Sequence, residues 1–197
     1  VFMNTQRTLG SIAVFILCWT SSLFAQPITT GTLLREVVDL RRLGDFPDPS
    51  YKTVQFSSYD HRSVLPGGPE WFANSDGFGN EPVPNFEAVL QEPNAEGIGE
   101  YLLCDVTGPG AIVRLWTAAI KGKIQLYLDD DPTPVYEGFA QDFFLQTYQS
   151  FLKEAGFSED LFEDTFSQRN AGYYPIPFAQ RCRIVWVGNL KEIHFYQ

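Results

Sequence analysis

The sequence predicts a mainly β protein, an antiparallel sandwich of jelly-roll type with two peripheral helices. Three observations carry this prediction. Short apolar runs of strand length recur after position 50, among them Glu100–Val106, Ala111–Thr117 and Lys123–Leu128. Turn-forming clusters separate them, Thr107-Gly-Pro-Gly110 and Asp129-Asp-Asp-Pro132 being the clearest. Helical spacing of apolar residues is confined to two stretches.

The elements follow in order. Met3 to Arg7 is a short basic start, Ile12–Trp19 an unbroken apolar run, and Thr20–Ala25 a series of small residues, which together have the pattern of a secretory signal peptide cleaved after Ala25. The apolar run is too short to span a bilayer comfortably, and Leu17 before Cys18 argues against a lipid anchor. Val1 and Phe2 precede the expected start at Met3. Thr32–Leu43 places Leu33, Leu34, Val37 and Val38 on one helical face, with Thr32 as the expected cap and Gly44 as the stop. After the break at Asp45–Pro49, Lys52–Ser58 reads as the first strand and Glu100–Val106 as the second. Ala111–Thr117 and Lys123–Leu128 read as a third and fourth, with Gly108 and Gly110 placed to take positive φ in a hairpin turn. Phe144, Tyr148, Phe151, Leu152 and Ala155 give Ala140–Ala155 a helical period, and Arg181–Val187 and Ile193–Tyr196 are late strands. The expected organisation is therefore a signal peptide at 1–25, a helix and linker at 26–51, and a jelly-roll domain at 52–197. Because the chain stops inside a strand-like pattern at His194–Gln197, that domain is expected to be truncated at its C-terminal end.

Composition narrows the function. The 197 residues are 44% hydrophobic and 15% aromatic, enough for a sizeable core. The formal net charge is −10, and cleavage of the leader would remove Arg7 and make it more negative still. Such a chain has no electrostatic footprint for nucleic acid or for an anionic membrane, and suits a neutral substrate such as a sugar. Export to the periplasm or beyond would leave Cys104 and Cys182, either as a disulfide or as two buried thiols. No CxxC occurs and His61 and His194 are isolated, so neither a metal nor another cofactor is expected.

Four constellations can carry chemistry. Tyr59, Asp60 and Arg62 follow a strand, as binding residues often do, although the sequence alone slightly favours an Asp–Arg ion pair with Tyr59 as packing. Trp71–Asn80 (WFANSDGFGN) brings aromatics together with Asn74 and Asp76. As a calcium loop it fails, since the glycine and the closing glutamate are misplaced. A sugar-stacking loop and a plain glycine-rich turn remain open. In the third, period-two alternation puts Asp105 with Tyr101 and Leu103, and Arg114 with Ile112 and Trp116, an arrangement that would let Asp105 and Arg114 pair across a hairpin. The fourth, Tyr173–Phe178, has two prolines that favour an extended edge segment with a structural role. No GxSxG elbow, HExxH helix or Cys–His nucleophile pair is present, so carboxylates are the natural acid/base groups of any enzyme built on this chain.

The segments QFSSYDHRS, WFANSDGFGNE, YLLCDVTGPGAIVRLWTA, GKIQLYLDD, YYPIPFAQRC and HFYQ occur here in an order and spacing that resembles glycoside hydrolase family 172, formerly domain of unknown function 2961. The resemblance runs from about Leu33 to Gln197. It implies the first half of a double jelly roll in an enzyme that acts on α-D-fructofuranosides or α-D-arabinofuranosides with two glutamates in a retaining mechanism, assembled as trimers or multiples of trimers. The family's catalytic glutamates lie in the second jelly roll, in a Gly/Thr-rich motif ending Glu-Asp-Tyr that this sequence lacks. A retaining pair sits about 5 Å apart, and nothing in the sequence places two of Glu70, Glu81, Glu87 and Glu100 together. The resemblance therefore implies an inactive fragment in which Tyr59, Asp60, Arg62, Trp71, Asn74, Asp76 and Trp116 line a glycan site. The alternative is a non-catalytic carbohydrate-binding or structural jelly-roll domain.

Overall fold

The structure is a computed structural model that describes residues 27–48, 50–73, 85–152, 167–168 and 170–197. Eleven strands are described: β1 (Ala88–Gln91), β2 (Ile98–Thr107), β3 (Gly110–Ile112), β4 (Leu115–Ile120), β5 (Lys123–Leu128), β6 (Tyr136–Phe139), β7 (Ser167–Gln168), β8 (Ala171–Gly172), β9 (Ile176–Phe178), β10 (Arg181–Asn189) and β11 (Ile193–Tyr196). They form a five-stranded sheet in the order β1-β2-β10-β5-β6, a four-stranded sheet in the order β11-β4-β8-β7, and the pair β3-β9. Every pairing is antiparallel. The sheets and helix α2 (Ala140–Leu145) enclose one core, so the chain is a β-sandwich with few helices, as the sequence predicts.

β10 runs through the centre of the larger sheet. Its alternation points Cys182, Ile184 and Trp186 inward, opposite Leu128, Leu126 and Ile124 of β5. On its other side β2 contains a bulge: Ile184 faces Cys104 but Val185 faces Leu102, which leaves Leu103 as an extra residue. The bulge reverses the phase of the strand. Asp105 therefore lies on the face opposite Tyr101, and the simple alternation expected from the sequence fails beyond Leu103. Cys104 and Cys182 are free and buried. A hydrogen bond to Cys182, with burial second, holds the Cys104 thiol protonated well above the ordinary thiol range.

Other boundaries also move. The first helix, α1, spans Thr30–Val38: it starts two residues before the expected Thr32, with Thr29 rather than Thr32 as its cap, and ends five residues before Leu43. Thr32 completes a capping box by accepting from the Thr29 backbone N–H at 2.9 Å. Its apolar stripe is not buried as expected: Leu34 packs on the core, whereas Val37 and Val38 are exposed. A 3₁₀ turn at Leu40–Gly44 then ends at the expected glycine. Lys52–Ser58 is not a strand. Residues 51–55 are exposed, and pairing begins only at Ser58, whose N–H donates to the Tyr196 carbonyl at 3.1 Å. The expected strand Ala111–Thr117 is divided between two sheets at Val113–Arg114.

Thr107–Gly110 is a corner rather than a hairpin, since β2 pairs with β1 and β10 while β3 pairs with β9. Its glycines are not among those with positive φ. They are required because the Phe178 ring packs against them: a Cβ at Gly108 would lie 2.7 Å from that ring, and one at Gly110 would lie 2.6 Å away. The second helical stretch is broken at Gln146 into α2 and α3 (Thr147–Leu152). There the Thr147 hydroxyl takes the Phe143 carbonyl, supplying the bond a backbone N–H would otherwise make. Phe144 and Tyr148 are buried as the spacing predicts, and Ala155 lies outside the described residues. Among the described residues, no helix is long and apolar enough to cross a membrane.

Candidate functional site

The segment after Ser58 turns away from β11 and forms a corner. Asp60 is 4% exposed. Its carboxylate accepts from Arg62 Nε at 3.0 Å, from Arg62 Nη2 at 2.6 Å and from the Arg62 backbone N–H at 3.1 Å. A short polar side chain bonding the backbone two residues on is an Asx-type turn, which is why Asp rather than an apolar residue starts it. The Asp60 hydrogen bond holds the Arg62 guanidinium above its ordinary range. That guanidinium is 59% exposed on its other side, with Glu70 at 3.6 Å.

The rest of the corner is tied to the same turn. The Ser63 hydroxyl donates to the Trp71 carbonyl, and the Trp71 N–H donates to Gly68 at 3.1 Å. Tyr59 is 45% exposed, its ring tilted against that of His61 at 4.7 Å, so it is not buried packing. Phe72 is almost fully exposed beside the half-covered Trp71. The corner thus presents an oriented guanidinium among open aromatic faces, a combination suited to a polyhydroxylated ring. Asn74 and Asp76 lie outside the described residues.

Trp116 is held on a different element. On β4 it stacks against Phe195 of β11 at 6.3 Å, while Thr117, the next residue, points into the core. Ser58 and Trp116 flank opposite sides of the same strand, β11: Tyr196 accepts from Ser58, and Gln197 exchanges both backbone hydrogen bonds with Trp116 at 2.9 Å. The structure therefore brings Tyr59, Asp60, Arg62 and Trp71 into one corner and sets Trp116 one strand further along. Phe195 was not among the sequence candidates. It takes φ of 50°, a left-handed conformation rare for a bulky side chain. Only its partner Trp116 carried a signal in the sequence.

Asp105 and Arg114 do not pair. Asp105 binds Arg181 through two bonds of 2.7 Å, and the Arg114 guanidinium donates to the Gln197 side chain. The physical reason is that Asp105 sits on β2 of the five-stranded sheet, whereas Arg114 lies in the break between β3 and β4, where the chain passes from one sheet to another. Arg181 also reaches Asp130 at 3.2 Å, and its hydrogen bonds hold the Asp105 carboxyl below the usual range. In the Asp129–Pro132 turn, Asp129 accepts from the Gln180 and Ala179 backbone N–H groups, each at 2.7 Å. Those bonds, Gln180 first, lower its pKa. The acidic turn is a brace between two loops. Tyr173–Phe178 does include an extended segment, β9, with Pro177 opposite Ala111 and with Ile176 and Phe178 buried.

When the chain is compared with protein families, residues 49–197 match the GH172 first beta-sandwich domain. The chain belongs to the GH172 glycoside hydrolase family. No curated protein and no solved structure matches it. The matched region of the GH172 domain starts before the Asp60 corner and takes in all the described strands.

Proposed function

We propose that this GH172 domain is the N-terminal sandwich of an exported glycoside hydrolase acting on α-D-fructofuranosides or α-D-arabinofuranosides. The observation that carries the reading is membership of the family over 49–197, joined by the Asp60–Arg62 corner with its exposed aromatics. In this reading residues 1–25 are the signal peptide, 26–51 a helix and linker, and the sandwich begins at residue 52. The protein works as a homotrimer or a multiple of trimers, and a retaining pair of glutamates is supplied by a second jelly roll.

The sandwich then contributes to holding the sugar rather than to breaking the bond. Asp60 sets the plane of the Arg62 guanidinium, whose free N–H groups donate to sugar hydroxyls, while Tyr59 and Trp71 offer ring faces to the sugar's C–H side. Trp116, Asn74 and Asp76 complete the proposed binding set. Several described glutamates already have other partners, Glu70 on Arg62, Glu192 on Lys121 and Glu36 on Arg42. That occupation also supports the second reading, a sandwich that binds glycan without turning it over.

The test uses the full-length gene product. Asp60→Asn and the surface change Arg62→Lys are each expected to lower kcat/KM on an α-D-arabinofuranoside by about tenfold or more, mostly through KM, because lysine cannot reproduce a planar two-point grip. Unchanged kcat/KM in both variants would remove the corner from the substrate site. Glycan binding with no turnover by the unmodified protein would favour the second reading.

A further inference from the structure

A cleft of about 440 Å³ opens at the other end of β11 from Ser58. It is lined by Lys121 and Gly122 at the turn from β4 to β5, Phe139 at the end of β6, Gln141 and Asp142 at the start of α2, and Glu192 before β11. The floor is fixed by the backbone. The Lys121 N–H donates to Glu192 at 2.9 Å, the Ala140 N–H to Gly122 at 3.0 Å, and Trp186 Nε1 to the Lys121 carbonyl at 2.6 Å. Gly122 has φ of 79°, and a Cβ there would lie 2.5 Å from the Val187 carbonyl oxygen, so the turn admits little else.

The lining is chemically mixed. Phe139 is 72% exposed and is the one aromatic among the described residues lining the cleft. Lys121 and Glu192 approach to 3.7 Å, and Gln141 and Asp142 add an amide and a second carboxylate. Hydroxyl groups both donate and accept, and this set offers acceptors only (Asp142, Glu192), donors only (Lys121) and both (Gln141). An anion would meet two carboxylates against one ammonium, and a wholly apolar ligand would strip water from four polar groups without replacing it. A neutral sugar ring, with a C–H face for the phenyl and hydroxyls for the rim, satisfies every wall.

We infer that this cleft binds one sugar residue of a neutral glycan. The substrate class rests on the glycoside hydrolase reading, whereas the site itself is independent of the Asp60 corner, which lies at the Tyr196 end of β11, roughly 10 Å of strand away. The side chain that defines the cleft is outside the core, so it can be removed without disturbing the fold. The Phe139 carbonyl would still accept from the Tyr136 hydroxyl at 3.0 Å.

The experiment is a titration of the ¹⁵N-labelled full chain with an uncharged arabino-oligosaccharide, read at individual amides. Saturable shifts at Gly122 and Ala140 are expected. Phe139→Ala should weaken that binding about tenfold and Asp142→Asn by a smaller factor. Shifts at Gly122 and Ala140 without any at Arg62 would uphold the cleft and count against the corner. Absence of shifts at Gly122 and Ala140, affinity unchanged in Phe139→Ala, or equally tight binding of a galacturonate oligomer would overturn the inference.

Discussion

Replacing Trp186 by Phe tests the centre of the sandwich directly. Trp186 has no exposed surface, stacks on Phe86 at 6.0 Å, packs tilted against Tyr101 at 5.4 Å, and donates from Nε1 to the Lys121 carbonyl at 2.6 Å. Phenylalanine keeps one ring and loses the other, together with that donor. Truncating a buried Trp all the way to Ala costs about 3–5 kcal/mol, so the lost half-ring and its cavity should account for about 1–2 kcal/mol. A net hydrogen bond adds about 1 kcal/mol. The expected total is about 2–3 kcal/mol. In a domain of this size that corresponds to a fall in Tm of roughly 5–10 °C, and to a urea midpoint lower by about 1–2 M at unchanged m. Thermal and urea unfolding followed by circular dichroism would measure both. A loss under about 0.5 kcal/mol would refute the reasoning, because it would mean that the stacked ring and its hydrogen bond do not hold β10 against the β4–β5 turn.

Two further changes probe polar groups the sandwich has enclosed. Tyr101 is 2% exposed and its hydroxyl has no hydrogen-bond partner among the described residues, with burial pushing its pKa up. Tyr101→Phe should therefore leave stability unchanged or raise it by about 1 kcal/mol in urea unfolding, and a clear loss would show that the hydroxyl is bonded after all. Asp105 has its pKa lowered by Arg181, so the stability it contributes is complete above the ordinary carboxylate range and is lost as the pH falls through the lowered folded value. Asp105→Asn should accordingly lower stability at neutral pH and flatten its decline below about pH 4; an acid branch as steep as before would assign that decline to other groups.

The sequence disclosed the sandwich where local pattern and tertiary environment agree. Lys123–Leu128 and Ile193–Tyr196 are strands at the boundaries expected, the first because it alternates against β10 and the second because it pairs with β4 despite the left-handed turn at Phe195. Lys52–Ser58 has an equally good local pattern but no strand partner among the described residues, and partnership is not written in a single segment. The division of Ala111–Thr117 between sheets was hidden for the same reason. In the site, the Asp60–Arg62 pair was legible because a two-residue spacing dictates it. Arg181 was missed as the partner of Asp105 because the contact spans 76 positions, and Phe139, Gln141 and Glu192 meet only once the β4–β5 turn, α2 and the turn before β11 have been brought together.

The extra residue at Leu103 makes β2 two half-strands of opposite phase joined in the middle. Deleting it would give a sequence that alternates more regularly and a protein that folds worse. With one half held in place, the other would turn over, sending Cys104 and Val106 out to water or Tyr101 away from Trp186. This strand is kept in register by an irregularity, so its tolerance to substitution and its tolerance to a change of length are different properties. A library that varies residues 101–106 at fixed length should retain folded members, whereas one that drops a single codon there should not.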